Sequence, residues 1–302
     1  MLIGVSLDTH ADFMPAADVV RLARKIEHLG FESLWLSDAF GREPLAFAAW
    51  LLAKTDHLRI GTAVANVYGR DPDSAAQARR TLGEASGGRF MLGLGVSNEY
   101  AVAMRKAAWA PPASKMASYL DGLSAASVAS APGGAPVYVA AHGPGLAALG
   151  RDKADGIMTW AMPPAHTAAM RELLGRGPHI SAQLPVILTG NAALARNIAR
   201  SYLAVWLGMP SYRAAWGRAA GLEDSDFEAG GSNRLIDALC AWGGASAVSA
   251  RIREFQQAGA TRVILEPLRM ADSRTAHVIP GLGGADADWD SLEQLAATLL
   301  CA

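Results

Sequence analysis

The sequence predicts a (β/α)8 barrel of the TIM type, with a helical insertion between its seventh and eighth strands. Three observations lead there: eight short runs rich in Val, Ile and Leu, segments of helical period between them, and a length of 302 residues. Apolar runs without alternation mark strands buried on both faces, the signature of a parallel sheet covered by crossover helices. Eight alternating units exceed what an open doubly wound sheet usually holds in one domain. Residues 1–302 are therefore read as a single domain.

The strands are expected at 2–7, 33–37, 58–65, 90–95, 136–141, 156–159, 184–189 and 263–266. Helical segments follow at 16–29, 44–54, 73–86, 114–127, 143–153, 164–174 and 191–207. In the first, Val19, Val20, Ala23, Ile26 and Leu29 form one stripe opposite Arg21, Arg24, Lys25 and Glu27, and Gly30 supplies the stop. The gap before the last strand is too long for one helix. Segments 212–220, 232–242 and 246–258 also read helical, broken by Gly208, Pro210, Gly221, Gly230, Gly231, Gly243 and Gly244. An insertion at about 191–245 is expected to rise over the barrel mouth. An irregular stretch at 96–113, containing AWAPPA, follows the fourth strand and reads as a lid.

With 27 basic and 28 acidic residues the net charge is −1, which offers no footprint for nucleic acid or an anionic membrane surface. No basic leader precedes an apolar run, and no window reaches the ~18 apolar residues of a spanning helix, so a cytoplasmic protein is expected. Cys240 and Cys301 form no CxxC, which argues against a disulfide framework or a thiolate zinc site.

Active sites of such barrels lie at the C-terminal strand ends. The candidates there are Asp8 and His10, then Asp38, Asn66 and Tyr68, Ser97, Asn98 and Glu99, His142 and Gly143, Thr159 and Trp160, Asn191, and finally Glu266 with Arg269. The segment AAHGPG at 140–145 runs from a strand into a helix start, where free N–H groups suit a phosphate. The same composition also describes an ordinary turn. No GxGxxG between strand and helix, no GxxxxGK[ST] and no GxSxG occur, so nucleotide-binding and serine-hydrolase signatures are missing. Asp8, His10, His142 and Glu266 are ligand-type side chains at one mouth, yet no HxH follows the first strand and no Asp closes the last. No metal is expected.

Two stretches stand out together: IGTAVANVYGRDP at 60–72 and SGGRFMLGLGVSNEY at 86–100. With HLGFESLWLSDAFGRE, AAHGPGLAALGRDKADGIMTW, SYLAVWLGMPSYRAAW, GGSNRLIDALCAWG and AGATRVILEPL, they resemble the bacterial luciferase-like family, in particular its branch using the deazaflavin coenzyme F420. The resemblance covers nearly the whole chain except 101–113. It implies a barrel whose flavin or deazaflavin ring lies across the strand ends, with the phosphate tail reaching the later strands. Carried over position by position, Asp38 is the acidic residue beside the ring, to which the resemblance gives the catalytic role. Ala63 and Val64 make a non-proline cis bulge behind the ring, and Asn66 follows at a ring-contacting position. Gly95, Ser97 and Asn98 match ring-edge and tail contacts, and Ala141, His142, Gly143 and Pro144 match the phosphate turn.

The resemblance implies hydride transfer between F420 and a small organic substrate, with FMN as the alternative cofactor. Under that alternative the protein is a monooxygenase supplied with reduced flavin by a separate reductase. A non-catalytic ligand-binding barrel is the third reading. A homodimer is also carried over. Arg70, Arg105, Lys106 and Lys115 are the basic side chains near the loops that would meet the deazaflavin's carboxylate tail. Two departures limit the transfer: Ala39 and Glu43 replace the His and Trp of the sugar-phosphate and alcohol dehydrogenases, and RKAAWAPPAS replaces a WHG-like loop.

Overall fold

The computed structural model describes residues 1–129, 134–271 and 285–300. Within them, eight parallel strands close on themselves: β1 (Leu2–Asp8), β2 (Ser33–Leu36), β3 (Arg59–Thr62), β4 (Phe90–Gly95), β5 (Val137–Ala140), β6 (Gly156–Trp160), β7 (His179–Ile187) and β8 (Arg262–Met270). Each pairs with its successor, and β8 completes the ring by pairing with both β7, where Arg262 faces Ser181, and β1, where it faces Leu2. The barrel helices are α1 (Ala16–His28), α2 (Pro44–Leu52), α3 (Pro72–Ala85), α4 (Glu99–Met104), α5 (Pro112–Ala125), α6 (Pro144–Lys153) and α7 (Pro164–Leu174). Between β7 and β8 lie α8 (Ala192–Leu207), α9 (Pro210–Ala220), α10 (Asn233–Leu239) and α11 (Ala245–Gln257), and α12 (Leu292–Leu299) ends the described chain.

The expected third strand, 58–65, breaks after Thr62. The Ala63–Val64 peptide is cis, as the resemblance implied, and Ala65–Asn66 then rejoins β4. The seventh strand begins at His179, not 184. Its inward positions Ser181 and Gln183 are polar, which hid the strand from a search for apolar runs. Segment 232–242 is helical only to Leu239; Cys240 turns extended, and Ala241–Trp242 pairs with the end of β7. Burial against a strand overrides local helical preference there. The stretch 96–113, expected to be irregular, contains α4.

Outward strand residues such as Val5, Leu34, Ile60 and Leu92 meet the helices in the main core. Inside the barrel, Trp35, Met91, Tyr138, Met158 and Ile264 fill the centre. Gly61 makes this filling feasible, since a Cβ there would lie 2.4 Å from the Trp35 ring. Arg262, only 1% exposed, plugs the N-terminal end through two 3.0 Å hydrogen bonds to the Glu32 carboxylate, with its guanidinium over Trp35.

The insertion carries a second apolar cluster, including Ile198, Leu203, Trp216, Phe227, Leu235 and Leu239, which packs onto Met162 and Leu268 of the barrel. The insertion is thereby fixed above the C-terminal strand ends. The Cys240 thiol is buried there, and Cys301 lies outside the described residues. No described helix is long and apolar enough to cross a membrane.

Candidate active site

Backbone strain concentrates at the C-terminal strand ends. Asp8 (φ 43°), Ser97 (φ 61°) and Ala161 (φ 47°) are non-glycine residues in the left-handed region, each just at or past the end of β1, β4 or β6. Such conformations cost of order 1–3 kcal/mol each and cluster at functional sites.

Asp38, two residues beyond β2, is held from three sides. Its Oδ2 accepts the Asn66 N–H at 2.9 Å and an Arg70 N–H at 3.2 Å, and its Oδ1 accepts an Arg105 N–H at 2.9 Å. The Asp38, Arg70 and Arg105 side chains are 8%, 10% and 23% exposed. Arg70 also pairs with Glu43, and Arg105 donates to the Ala39 carbonyl. Arg42, the nearer arginine in sequence, turns away to the carbonyls of Ala11 and Met14, with its N–H on Asp12. Two of the four basic groups considered for the cofactor tail are thus engaged within the protein; Lys115 lies 4.7 Å over the Tyr68 ring and Lys106 is exposed.

These contacts also clasp the loop after β4 onto the loop after β3. Trp109 stacks on Tyr68 at 6.2 Å, and the Ala110 N–H bonds the Tyr68 hydroxyl at 3.1 Å. Asn66 is buried, and its Oδ1 accepts the Tyr68 N–H. Gly95 is a site of close approach: a Cβ there would sit 2.3 Å from Val64 Cγ2, so the glycine admits the bulge's side chain. Asn98 caps α4 by accepting the Ala101 N–H at 2.9 Å, and Ser97 is exposed beside it.

Across the mouth, Ala141 is buried and its N–H bonds the Met158 carbonyl. His142 Nε2 accepts the Trp160 N–H at 3.1 Å, which places the ring proton on Nδ1. Burial, with His166 nearby, pushes this imidazole down to about 4, so it is neutral at pH 7. His166 Nε2 donates to the His142 carbonyl at 3.2 Å, while its buried Nδ1, left as an acceptor, has no partner among the described residues. Gly143 and Pro144 begin α6 with no side-chain cap, and nothing lies within 4 Å of a Cβ built on Gly143. The sequence reading missed His166, although its place on the buried stripe of α7 with Thr167, Met170 and Leu174 carries a helical-period signal.

A third group stands between these two. Trp160 Nε1 donates to Glu266 Oε2 at 3.0 Å, Gln183 Nε2 donates to Glu266 Oε1 at 3.2 Å, and the Tyr202 hydroxyl donates to Asp8 Oδ2 at 3.3 Å. Burial and the Asp8 charge raise the Glu266 carboxyl well above the ordinary carboxylate range. Trp160 in turn sits in an aromatic wall, with the rings of Tyr202, Trp206, Tyr212 and Trp216 at 4.8–6.2 Å from its own. Asp8, Trp160 and Glu266 were among the strand-end candidates; Tyr202 and Trp206, from the insertion, were not. Among the described residues no three His, Cys, Asp or Glu side chains converge as a metal site.

A closed barrel with its polar groups gathered at one mouth under a helical insertion is the architecture of a cofactor-using enzyme of the luciferase type. Residues 1–262 match the luciferase-like monooxygenase family, and the chain belongs to it. It is 24% identical over 299 residues to 5,10-methylenetetrahydromethanopterin reductase of Methanolobus tindarius, covering 84% of this chain and 92% of the relative. Over 88 residues, 29% of this chain and 25% of the relative, it is 35% identical to a putative coenzyme F420-dependent oxidoreductase of Mycobacterium tuberculosis. The solved coenzyme F420-dependent tetrahydromethanopterin reductase of Methanopyrus kandleri superposes with a TM-score of 0.73 at 16% identity, covering 99% of this chain and 98% of that one, a likeness of fold.

Proposed function

We propose that this chain is a coenzyme F420-dependent oxidoreductase that transfers a hydride between the deazaflavin and a small organic substrate. The observation that carries the reading is the uncapped start of α6. Open space at Gly143 and a helix start with no side-chain cap leave free backbone N–H donors where a phosphate fits. The names of the two sequence relatives support a reductase and, in one case, F420.

In this reading Ala141, His142, Gly143 and Pro144 hold the phosphate. Ala63, Val64 and Asn66 back the ring, with Gly95, Ser97 and Asn98 along its edge. Bound deazaflavin supplies the hydride-carrying carbon, and the protein binds, orients and excludes water. Asp38 acts from beside the ring by fixing Arg70, Arg105 and the Asn66 backbone. A homodimer belongs to the same proposal and is tested by sedimentation. A separate reductase belongs only to the FMN alternative.

The phosphate assignment is tested with Gly143→Val. The Gly143 backbone (φ −135°, ψ 163°) suits a β-branched residue, so folding should be retained while the added methyls enter the phosphate space. Deazaflavin affinity, read from tryptophan fluorescence, should fall at least tenfold with an unchanged melting temperature. Unchanged affinity would remove the phosphate from this turn.

A further inference from the structure

We propose that Asp8, Tyr202 and Glu266 form a proton relay, open to the barrel mouth at Asp8 and ending on the buried carboxyl of Glu266, which supplies the proton accompanying hydride transfer. The use assigned to the proton rests on the oxidoreductase reading; the relay itself rests on geometry. Tyr202 is the central link, because its hydroxyl donates to Asp8 Oδ2 at 3.3 Å while Trp160, whose ring packs 5.9 Å from the Tyr202 ring, donates to Glu266, which keeps Tyr202 beside that carboxyl. Glu266 is 2% exposed, whereas Asp8 is only half-buried. One end of the chain therefore reaches the mouth and the other is sealed.

The surroundings of Glu266 decide where the proton rests. Asp8 faces it from β1, Trp160 from β6, Gln183 from β7, Tyr202 from α8 and Cys240 from the end of α10. Tyr212 of α9 and Asp12 lie within the field of Asp8. None of these groups is a cation, and each that titrates would become negative on losing its proton. A carboxyl buried among them without a positive partner keeps its proton near neutrality. Burial raises the Glu266 carboxyl accordingly, and the nearby Asp8 charge acts in the same direction.

With the proton on Glu266, its O–H donates to Tyr202 Oη and the Tyr202 O–H donates to Asp8. Transfer breaks the Glu266 O–H bond and forms a new one at Tyr202, whose own proton passes to Asp8 and from there to the substrate heteroatom. Tyr202 ends unchanged, Glu266 ends as a carboxylate, and no electrons move along the relay. The electron pair reaches substrate carbon with the hydride of the reduced deazaflavin. A site that rests with this proton in store is equipped for substrate reduction.

The experiment uses the apo-protein, so it stands apart from the cofactor assignment. Infrared spectra at pH 7 should show a protonated-carboxyl stretch that Glu266→Gln removes. A rapid jump from pH 7 to alkaline pH, followed by fluorescence of Trp160, whose indole N–H bonds Glu266, should then give the rate of its deprotonation. Tyr202→Phe keeps the ring packing but cuts the relay, and should slow that rate at least tenfold with the end-point signals retained. Asp8→Asn should slow it as well. Absence of a Glu266-dependent carboxyl band, or equal rates in the wild type and both variants, overturns the relay; failure of deazaflavin to bind overturns only the use assigned to it.

Discussion

Asp38 sits between two guanidinium groups that have few other anions to face, so its charge is structural whatever else it does at the ring. Removing one partner of a buried pair typically costs about 3–5 kcal/mol because the other charge is stranded. Asp38→Asn should therefore lower unfolding free energy by about 3 kcal/mol in denaturant titrations, and should loosen the loop that Arg105 ties down. An unchanged unfolding curve would show that water takes the place of the carboxylate. Glu266 makes an opposite kind of prediction. Its folded carboxyl is raised above the unfolded value, so its contribution is fully present below the unfolded carboxylate range and is lost as pH rises through the raised value. Glu266→Gln has no such proton to lose. Its melting temperature relative to the wild type should rise between pH 6 and pH 9, and a constant difference would contradict the buried, protonated carboxyl.

At the scale of elements, the β3 bulge and the end of β4 form one packed unit. A Cβ at residue 95 would come within 2.3 Å of Val64 Cγ2, and overpacking of this kind costs about 1–3 kcal/mol. Gly95→Ala should lower the melting temperature and weaken deazaflavin binding together; a change in neither would separate the bulge from the site. The elements themselves were unevenly legible. Helix α7 was placed at its observed bounds because Pro164 starts it and Gly175 stops it. The early half of β7 was missed because His179, Ser181 and Gln183 break the apolar run with the polar lining of a barrel interior. Ala241–Trp242 carries no strand signal of its own; pairing with Val186 and Ile187 creates it. The capping role of Asn98 explains α4 in hindsight, since a strand-end Asn is as good a helix start as a ligand contact.

For the whole molecule, strand counting was enough to bring the candidate residues to one end, because a closed barrel gathers all its C-terminal strand ends at one mouth. Which side chains meet there was not readable: Arg105 reaches Asp38 across 67 positions and Tyr202 reaches Asp8 across 194. The folded state also buries neutral imidazoles at His142, His166 and His179, all held below their ordinary value chiefly by burial. For each, the unfolded chain binds the proton more readily, so stability present at pH 7 is lost as pH falls below the ordinary imidazole value, for His142 down toward about 4. His142→Gln should remove part of that slope, up to roughly 2 kcal/mol after allowing for its half-exposed edge, as measured by unfolding at pH 7 and pH 4.5. Parallel fluorescence titrations of the apo-protein with coenzyme F420 and with FMN decide which cofactor this barrel takes. F420 should bind more tightly than FMN; tighter binding of FMN at every salt concentration would instead make the protein a flavin monooxygenase.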